Sequence, residues 1–365
     1  MSRDPNEPTL RQILFKDVRA RDLPLTLRRD LKDLYRFYLD EERRARLQVI
    51  GGARRALWFI VFLLKSLLAK LPPARRVMFA ISLLMLLISG RFQLGRLNLS
   101  VDLRAAAFWL LLLVLMLELK DKLLARDEIE IARKVQLALL PRGHPRLAGW
   151  SLWNATRPAN DVGGDLVDYL DLGSGRVGVA LGDVAGKGLG AALLMAKLQA
   201  TLRSLAPECP SLAELGARLN AILCRDGLEN RFATLFYLEI LPGSPRMRYL
   251  NAGHNSPFLL RARGLETLEP SARPLGMLPG ATYMEGSLDL EPGDLLVAYS
   301  DGLVEAQNAG EIDFGVERLQ QLVPTLRGLE AEAAGLRLLA EVDRFVGEER
   351  PRDDLSLVTV LRHPP

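Results

Sequence analysis

The stretch "GRVGVALGDVAGKGLGAALLMAKLQATLRS" runs from Gly175 to Ser204. Its first part alternates like a strand, with Val177, Val179 and Leu181 set between smaller residues. Its last part is an apolar helix. Between them sits Asp183, followed by Gly186, Gly188 and Gly190. A carboxylate at the end of a buried strand is costly unless a positive partner meets it. The glycines have a rival reading as a phosphate cradle. That motif needs Ser or Thr directly after its lysine, and Lys187 is followed by Gly188; the dinucleotide pattern has a different glycine spacing. The better reading is that bare backbone clears room around a metal site. A carbonyl just after Asp183 is then a further ligand, and the next helix turns its N-terminal amides toward the same region, which suits a phosphate.

Other acids share this context. Asp165 lies in "DVGGDLVDYLDL", Asp301 in "LVAYSDGLVEA", and Asp353 and Asp354 in "RPRDDLSLVTV". Taken singly, an Asp-Gly pair is turn chemistry. Taken together, these acids sit at strand edges or beside glycine, and several such carboxylates repel one another unless cations neutralise them. With only three histidines (His144, His254 and His363), a metal site must rest on oxygen donors, which favours Mg²⁺ or Mn²⁺ over zinc. Cys209 and Cys224 have no CxxC spacing and read as packing residues in a reducing compartment.

From about Trp150 onward, β-rich runs recur: "RVGVALGD", "FATLFYLEIL", "RMRYLNAG", "PFLLRA", "DLLVAYSDG" and "LSLVTVLR". Helical stretches interrupt them near 191–205, 211–224 and 316–345. Strands with inserted helices indicate an α+β domain of antiparallel sheets with flanking helices over 150–362.

The first third of the chain differs. Residues 1–55 are basic and helical in pattern. The block 56–119 concentrates the apolar residues, within a chain that is 49% hydrophobic overall. "ALWFIVFLLKSLLAKL", carrying Lys65 and Lys70, reads as an amphipathic helix on a membrane surface, and Pro72-Pro73 breaks the chain after it. Two aliphatic runs follow, and two transmembrane helices are expected at about 76–92 and 104–119, although each charge-free run is shorter than the usual ~20 residues. The arginines before the first run place the N-terminus and, after two spans, the C-terminal domain in the cytoplasm, at the inner or plasma membrane. A third span through 57–71 would reverse this. Residues 120–141 form a linker helix stopped by Pro141 and able to pair with its own copy in a homodimer. With 48 basic and 44 acidic residues, a net charge of +4 gives no general case for a nucleic-acid partner.

The motifs together resemble the PPM-type metal-dependent serine/threonine phosphatases, in the bacterial branch related to SpoIIE and RsbU. The matching pieces, in order, are "EIEIARKVQLALLP", "NDVGGDLVDYLDL", "GVALGDVAGKGLGAALLMAKLQATLR", "RFATLFYLEI", "RYLNAGHNSPFLL", "RPLGM", "DLLVAYSDGLVEAQN" and "RDDLSLVTV". The resemblance implies a central antiparallel β-sandwich flanked by helices, holding two Mn²⁺ or Mg²⁺ ions. It makes Asp183 the bridging carboxylate with the Val184 carbonyl beside it, and Asp165, Asp301 and Asp353 the further ligands, with Asp354, the neighbour of Asp353, also among the metal ligands. Asp168 matches the pattern as a support residue. His254, in "NAGHNSP", also matches and reads first as a hydrogen-bonded structural histidine. One departure stands out: some eukaryotic relatives carry a histidine just after the bridging aspartate, and "DVAGKG" has none, so the leaving alkoxide takes its proton from water or elsewhere.

The function implied is a membrane-anchored phosphatase that removes phosphate from serine or threonine of a protein. In this branch the usual substrate is a phosphorylated STAS-type anti-sigma-factor antagonist. The alternatives are a catalytically silent, membrane-tethered binding module of the same fold, whose signature would be lost acids, and a metal hydrolase of small phosphoesters.

Overall fold

The computed structural model describes residues 51–88, 91–94, 99–141, 143–226, 231–241, 243–270 and 272–364, together with Leu39 and Leu47. The basic segment expected over 1–55 falls almost wholly outside them. The chain divides into two units, Met1–Leu123 and Leu124–Pro365.

In the first unit, helix α1 spans Gly52–Lys70 and α2 spans Pro73–Leu87, with Pro73 at the first helical position, where its missing N–H is harmless. Strands β1 (Arg91–Leu94) and β2 (Leu99–Asp102) pair antiparallel. Helix α3 then runs unbroken for 37 residues, Leu103–Leu139. Arg75 ties α2 to α3 through Glu118 at 2.8 Å and Asp121 at 2.6 Å.

The two expected spans do not take the expected form. The helix placed at 76–92 stops at Leu87, and its last residues belong to β1. At 15 residues, α2 is about 22 Å long, short of a hydrocarbon core of about 30 Å. The run at 104–119 is not a separate helix from the linker but the first half of α3, where Glu118 and Lys120 end the apolar stretch. Among the described residues no helix is long and apolar enough to cross a membrane.

The second unit is a sandwich of two five-stranded antiparallel sheets. Its strands are β3 (Trp150–Arg157), β4 (Leu166–Asp171), β5 (Val177–Val184), β6 (Ala233–Ile240), β7 (Arg246–Ala252), β8 (Phe258–Arg261), β9 (Gly264–Thr267), β10 (Gly286–Asp289), β11 (Leu295–Tyr299) and β12 (Leu355–Arg362). One sheet has the order β10-β7-β6-β5-β4 and the other β3-β12-β11-β8-β9. The alternation in β5 explains its place. Val177, Val179 and Leu181 face the other sheet and meet Leu152, Leu296, Val358 and Val360 in the middle layer. Ala180 and Val184 face outward under helices α4 (Leu189–Leu205) and α5 (Leu212–Asp226). The other sheet is covered by α7 (Val316–Leu322), a 3₁₀ turn at Val323–Leu326 and α8 (Ala331–Val346), all of which follow the four-residue α6 (Asp301–Val304). Covering helices on both outer faces account for strands apolar on both sides. The antiparallel sandwich with flanking helices is as the sequence led one to expect; β3, β4, β9 and β10 were not legible as separate runs.

Because neighbouring strands run antiparallel, the end of β5, β7 and β11 and the start of β4, β6, β8 and β12 lie at one end of the sandwich. The candidate acids occupy that end.

Candidate active site

Each acid is delivered by a strand terminus. Asp183 is the penultimate residue of β5, and Asp165 immediately precedes β4, whose Leu166 pairs with Gly182. Both belong to one sheet. From the other sheet, Asp301 opens α6 two residues after β11, and Asp353 and Asp354 lead into β12. Carboxylates from both sheets therefore share one end of the sandwich.

Their local bonding differs. Asp165 is 2% exposed; its Oδ2 accepts a hydrogen bond from Ser300 Oγ at 2.9 Å, while Oδ1 is buried with no partner. The Asp353 carboxylate is held by Lys187 Nζ at 2.7 Å, and the same ammonium donates to the Arg352 carbonyl at 2.6 Å. Asp354, expected among the ligands, is instead bonded at both oxygens, to the Ala159 amide at 2.8 Å and the Gly164 amide at 2.6 Å, so it pins the loop that carries Asp165.

The glycines open this space. A Cβ added to Gly164 would stand 3.0 Å from the Val184 carbonyl oxygen and 3.2 Å from Asp183 Oδ1. One on Gly163 would stand 2.3 Å from Asp354 Oδ2, and one on Gly302 would stand 2.0 Å from the Asp354 carbonyl oxygen. Gly186 and Gly188 adopt φ of 104° and 76°, a region that disfavours side chains, and Gly188 precedes α4.

Electrostatics mark the acids as a repelling set. Burial pushes Asp183 up to about 7, with further upward pressure from Asp301, Asp353 and Asp354. Burial, then Asp183, holds Asp165 well above the usual carboxylate range. Asp301 is raised by burial and by Asp353. Among the described residues, no three acid, histidine or cysteine side chains close around a single point. Asp353 is paired with Lys187 rather than with the other acids.

The residues present nevertheless fit divalent cations. The donors are all oxygen, one buried carboxylate oxygen is orphaned, and glycine clears the Val184 carbonyl for approach. The titration has a sign that can be checked. A carboxyl whose folded pKa lies above its unfolded value stabilises the fold at low pH and loses that contribution as pH rises through the folded value. The metal-free chain should thus lose stability between about pH 4 and about pH 7 through Asp183. Mn²⁺, which replaces the proton as the neutralising charge, should raise Tm more at about pH 7.5 than at about pH 5.5. Melting scans with Mn²⁺ and with chelator at both pH values check this; an equal rise at both would speak against these acids as the ligands.

The sequence had not singled out several supporting groups. Gln136, near the end of α3, makes a two-point amide clamp on Gly163: Nε2 donates to its carbonyl at 2.7 Å and Oε1 accepts from its N–H at 3.0 Å. Gln199 of α4 donates to the Leu139 carbonyl at 2.8 Å. Asp168, which the sequence had already marked, is fully buried and takes a bidentate pair from Arg203 at 2.6 and 2.8 Å. Arg231 lies over Gly186 and Gly190 and donates to the Ala185 carbonyl at 3.1 Å. Only Ser300 had a local signal, its place before Asp301.

The family model described as Stage II sporulation protein E (SpoIIE) matches residues 173–363, more than half of the chain. The chain belongs to the SpoIIE family. Its SpoIIE-type unit has the PP2C fold: the SiaA-PP2C domain of Pseudomonas aeruginosa superposes with a TM-score of 0.57 at 18% identity, over 67% of this chain and 99% of that one. Among curated relatives, protein IcfG of Synechocystis sp. is 29% identical over 277 residues, covering 67% of this chain and 43% of IcfG. Phosphoserine phosphatase RsbU of Bacillus subtilis is 28% identical over 184 residues, covering 50% of this chain and 55% of RsbU. The chain thus spans about half the length of the curated relatives it matches.

Proposed function

We propose that this chain is a divalent-metal-dependent phosphatase that hydrolyses phosphoserine or phosphothreonine on a protein. The observation that carries this is the placement of Asp165 and Asp183 from one sheet and Asp301 and Asp353 from the other at one end of the sandwich, beside a Val184 carbonyl that Gly164 leaves uncovered. Asp165, Asp183, Asp301, Asp353 and the Val184 carbonyl would hold two Mn²⁺ or Mg²⁺ ions. When bound, such a pair supplies a water acidic enough to attack at neutral pH and charge to offset the phosphoryl oxygens.

The remaining work falls to the chain itself. Ser300 orients Asp165 through Oδ2, which leaves the buried Oδ1 without a protein partner. Asp354 keeps the 159–164 loop in place through two amides. Lys187 pairs with Asp353 and brings an ammonium to this end of the sandwich, where it would also attract a phosphate.

The substrate class is argued from the relatives. RsbU and RsbP are named phosphoserine phosphatases, and a phosphorylated STAS-type anti-sigma-factor antagonist is the proposed partner. Attachment to the cytoplasmic face of the inner or plasma membrane through the first unit is supported by exposed apolar side chains, Leu84 and Leu87 on α2 and Trp109, Leu115 and Met116 on α3. Pairing of α3 with its own copy is supported by exposed Leu124 and Ile131, one heptad apart. The Gln136 clamp makes α3 a route by which either event reaches the Asp165 loop.

The test is loss of phosphate from a serine-phosphorylated STAS-domain protein, followed by phosphate-affinity electrophoresis with the full chain and Mn²⁺. Dephosphorylation is expected. Hydrolysis of aryl phosphates without any action on phosphoproteins would place the chain among small-phosphoester hydrolases instead.

A further inference from the structure

Arg231 is a half-buried cation that the chemistry above does not use. It leads into β6 at the acid end of the sandwich. The β5–β6 pairing runs one residue past both strands, where the Ala185 amide donates to the Phe232 carbonyl at 2.9 Å. That extension sets the guanidinium over the turn after Asp183. Its Nη1 donates to the Ala185 carbonyl at 3.1 Å, and a Cβ on Gly190 would stand 3.3 Å from Nη2. The first turn of α4 lies between this cation and the acids. Gly190 meets Arg231, whereas Ala191 Cβ would stand 3.6 Å from a Cβ on Gly164, which itself would stand 3.2 Å from Asp183 Oδ1. Among the described residues the guanidinium meets a carbonyl and no carboxylate.

Exposed apolar side chains flank it. On α4, Leu189 and Leu193 stand one turn apart on one face and are 47% and 62% exposed. On the opposite flank, the loop between β9 and β10 is pinned by its backbone. Leu275 exchanges both main-chain hydrogen bonds with Ala233, at 2.9 and 2.7 Å. Asn220 of α5 accepts from the Gly276 amide at 2.8 Å and donates to the Leu278 carbonyl at 3.0 Å. A Cβ on Gly276 would stand 3.8 Å from the Arg231 carbonyl oxygen. Met277 and Leu278 follow, 43% and 48% exposed. Apolar residues scattered singly over a surface are ordinary, but a set gathered around a charge on held backbone marks a contact surface. Among the described residues, the cations at this edge, Lys197, Arg225 and Arg231, outnumber its acid, Asp226. An acidic partner is therefore favoured.

We propose that Leu189, Leu193, Met277 and Leu278, gathered around Arg231, form the docking face for the phosphoprotein substrate. The inference rests on the protein-phosphatase reading above. A phosphoserine held at the acids brings the flanking surface of its own protein over the first turn of α4. The face sets the chemistry of that surface: apolar side chains to cover the rim, and a carboxylate to meet Arg231. Burial of the rim supplies affinity, and the cation supplies orientation and encounter rate. A small phosphoester has no flanking surface, so the face acts on protein substrates alone.

The test compares two substrates on the full chain at saturating Mn²⁺: a serine-phosphorylated STAS-domain protein and an aryl phosphate. Leu193→Glu and Met277→Glu each place a charge in the rim, at exposed side chains that the fold does not bury. Each should raise KM for the phosphoprotein by about tenfold or more and leave aryl phosphate turnover within about twofold of wild type. The wild-type KM for the phosphoprotein should rise with salt, and Arg231→Gln should flatten that rise. An unchanged phosphoprotein KM in both folded rim variants overturns the docking face. So does an equal loss on both substrates, which would assign the effect to the acids' surroundings. A change in the sedimentation of the chain alone, with no change in KM, also overturns it and makes the face a contact between copies. If one rim variant does not fold, the other decides by the same criterion. A wild-type chain that hydrolyses the aryl phosphate and spares the phosphoprotein overturns the protein-substrate reading and the docking face with it, a result distinct from the others.

Discussion

Asp183→Asn should abolish metal-dependent phosphate release while leaving the metal-free chain at least as stable as wild type. The two effects have opposite causes. Asparagine keeps the shape of the side chain and one oxygen, but loses the charge that a bridging ligand needs. Losing a group behind a ligand costs about 10- to 100-fold, and losing a shared ligand should exceed the upper end of that range. Stability moves the other way, because Asp183 is pushed up to about 7 by burial and by Asp301, Asp353 and Asp354. Removing one of four repelling carboxylates relieves that repulsion at pH 7.5 and above. A variant that lost activity only because it unfolded would show a lowered Tm with chelator present. Retention of wild-type turnover with Mn²⁺ would remove Asp183 from the site.

Gly302→Ala should be comparably severe by a different route. Its Cβ would meet the Asp354 carbonyl oxygen at 2.0 Å and its carbonyl carbon at 2.7 Å. Backbone cannot rotate aside as a side chain can, so either α6 or the 352–354 segment must move. Both carry proposed ligands, Asp301 on one and Asp353 on the other. Gly302 has no left-handed φ, so the requirement is for close approach rather than for torsional freedom. Overpacking of this kind costs about 1–3 kcal/mol and occasionally more. A urea melt should show a loss in that range, and phosphate release at saturating Mn²⁺ should fall by about 100-fold or more, since a misplacement of about 1 Å at a reacting centre has that effect. A variant as stable and as active as wild type would contradict the close packing of α6 on the β12 entry.

These two positions also mark what could be read from the chain before its fold was known. Asp183 was legible because its signal is local: an alternating strand, an acid, and glycines directly after it. The same holds for Asp165 after its glycine pair and Asp301 before Gly302. Asp354 as a pin and Gln136 as a clamp were not legible, since their partners lie 195 and 27 residues away. No spacing rule connects them; the sandwich does. The first unit failed for another reason. Hydropathy alone marked two spans, but helix length is set by its breaks: α2 stops at Leu87, and Arg91 and Phe92 belong to β1. The charge-free run after Leu103 and the charged linker share one backbone period, so nothing in the pattern separated them within α3.

The most direct measurement is phosphate release from an aryl phosphate by the full chain, with Mn²⁺, with Mg²⁺ and with chelator. If acids from both sheets act through divalent cations, turnover appears with added metal and vanishes in chelator. Turnover that survives complete chelation, or a folded chain inert with either metal, would contradict a two-metal phosphatase site at this end of the sandwich.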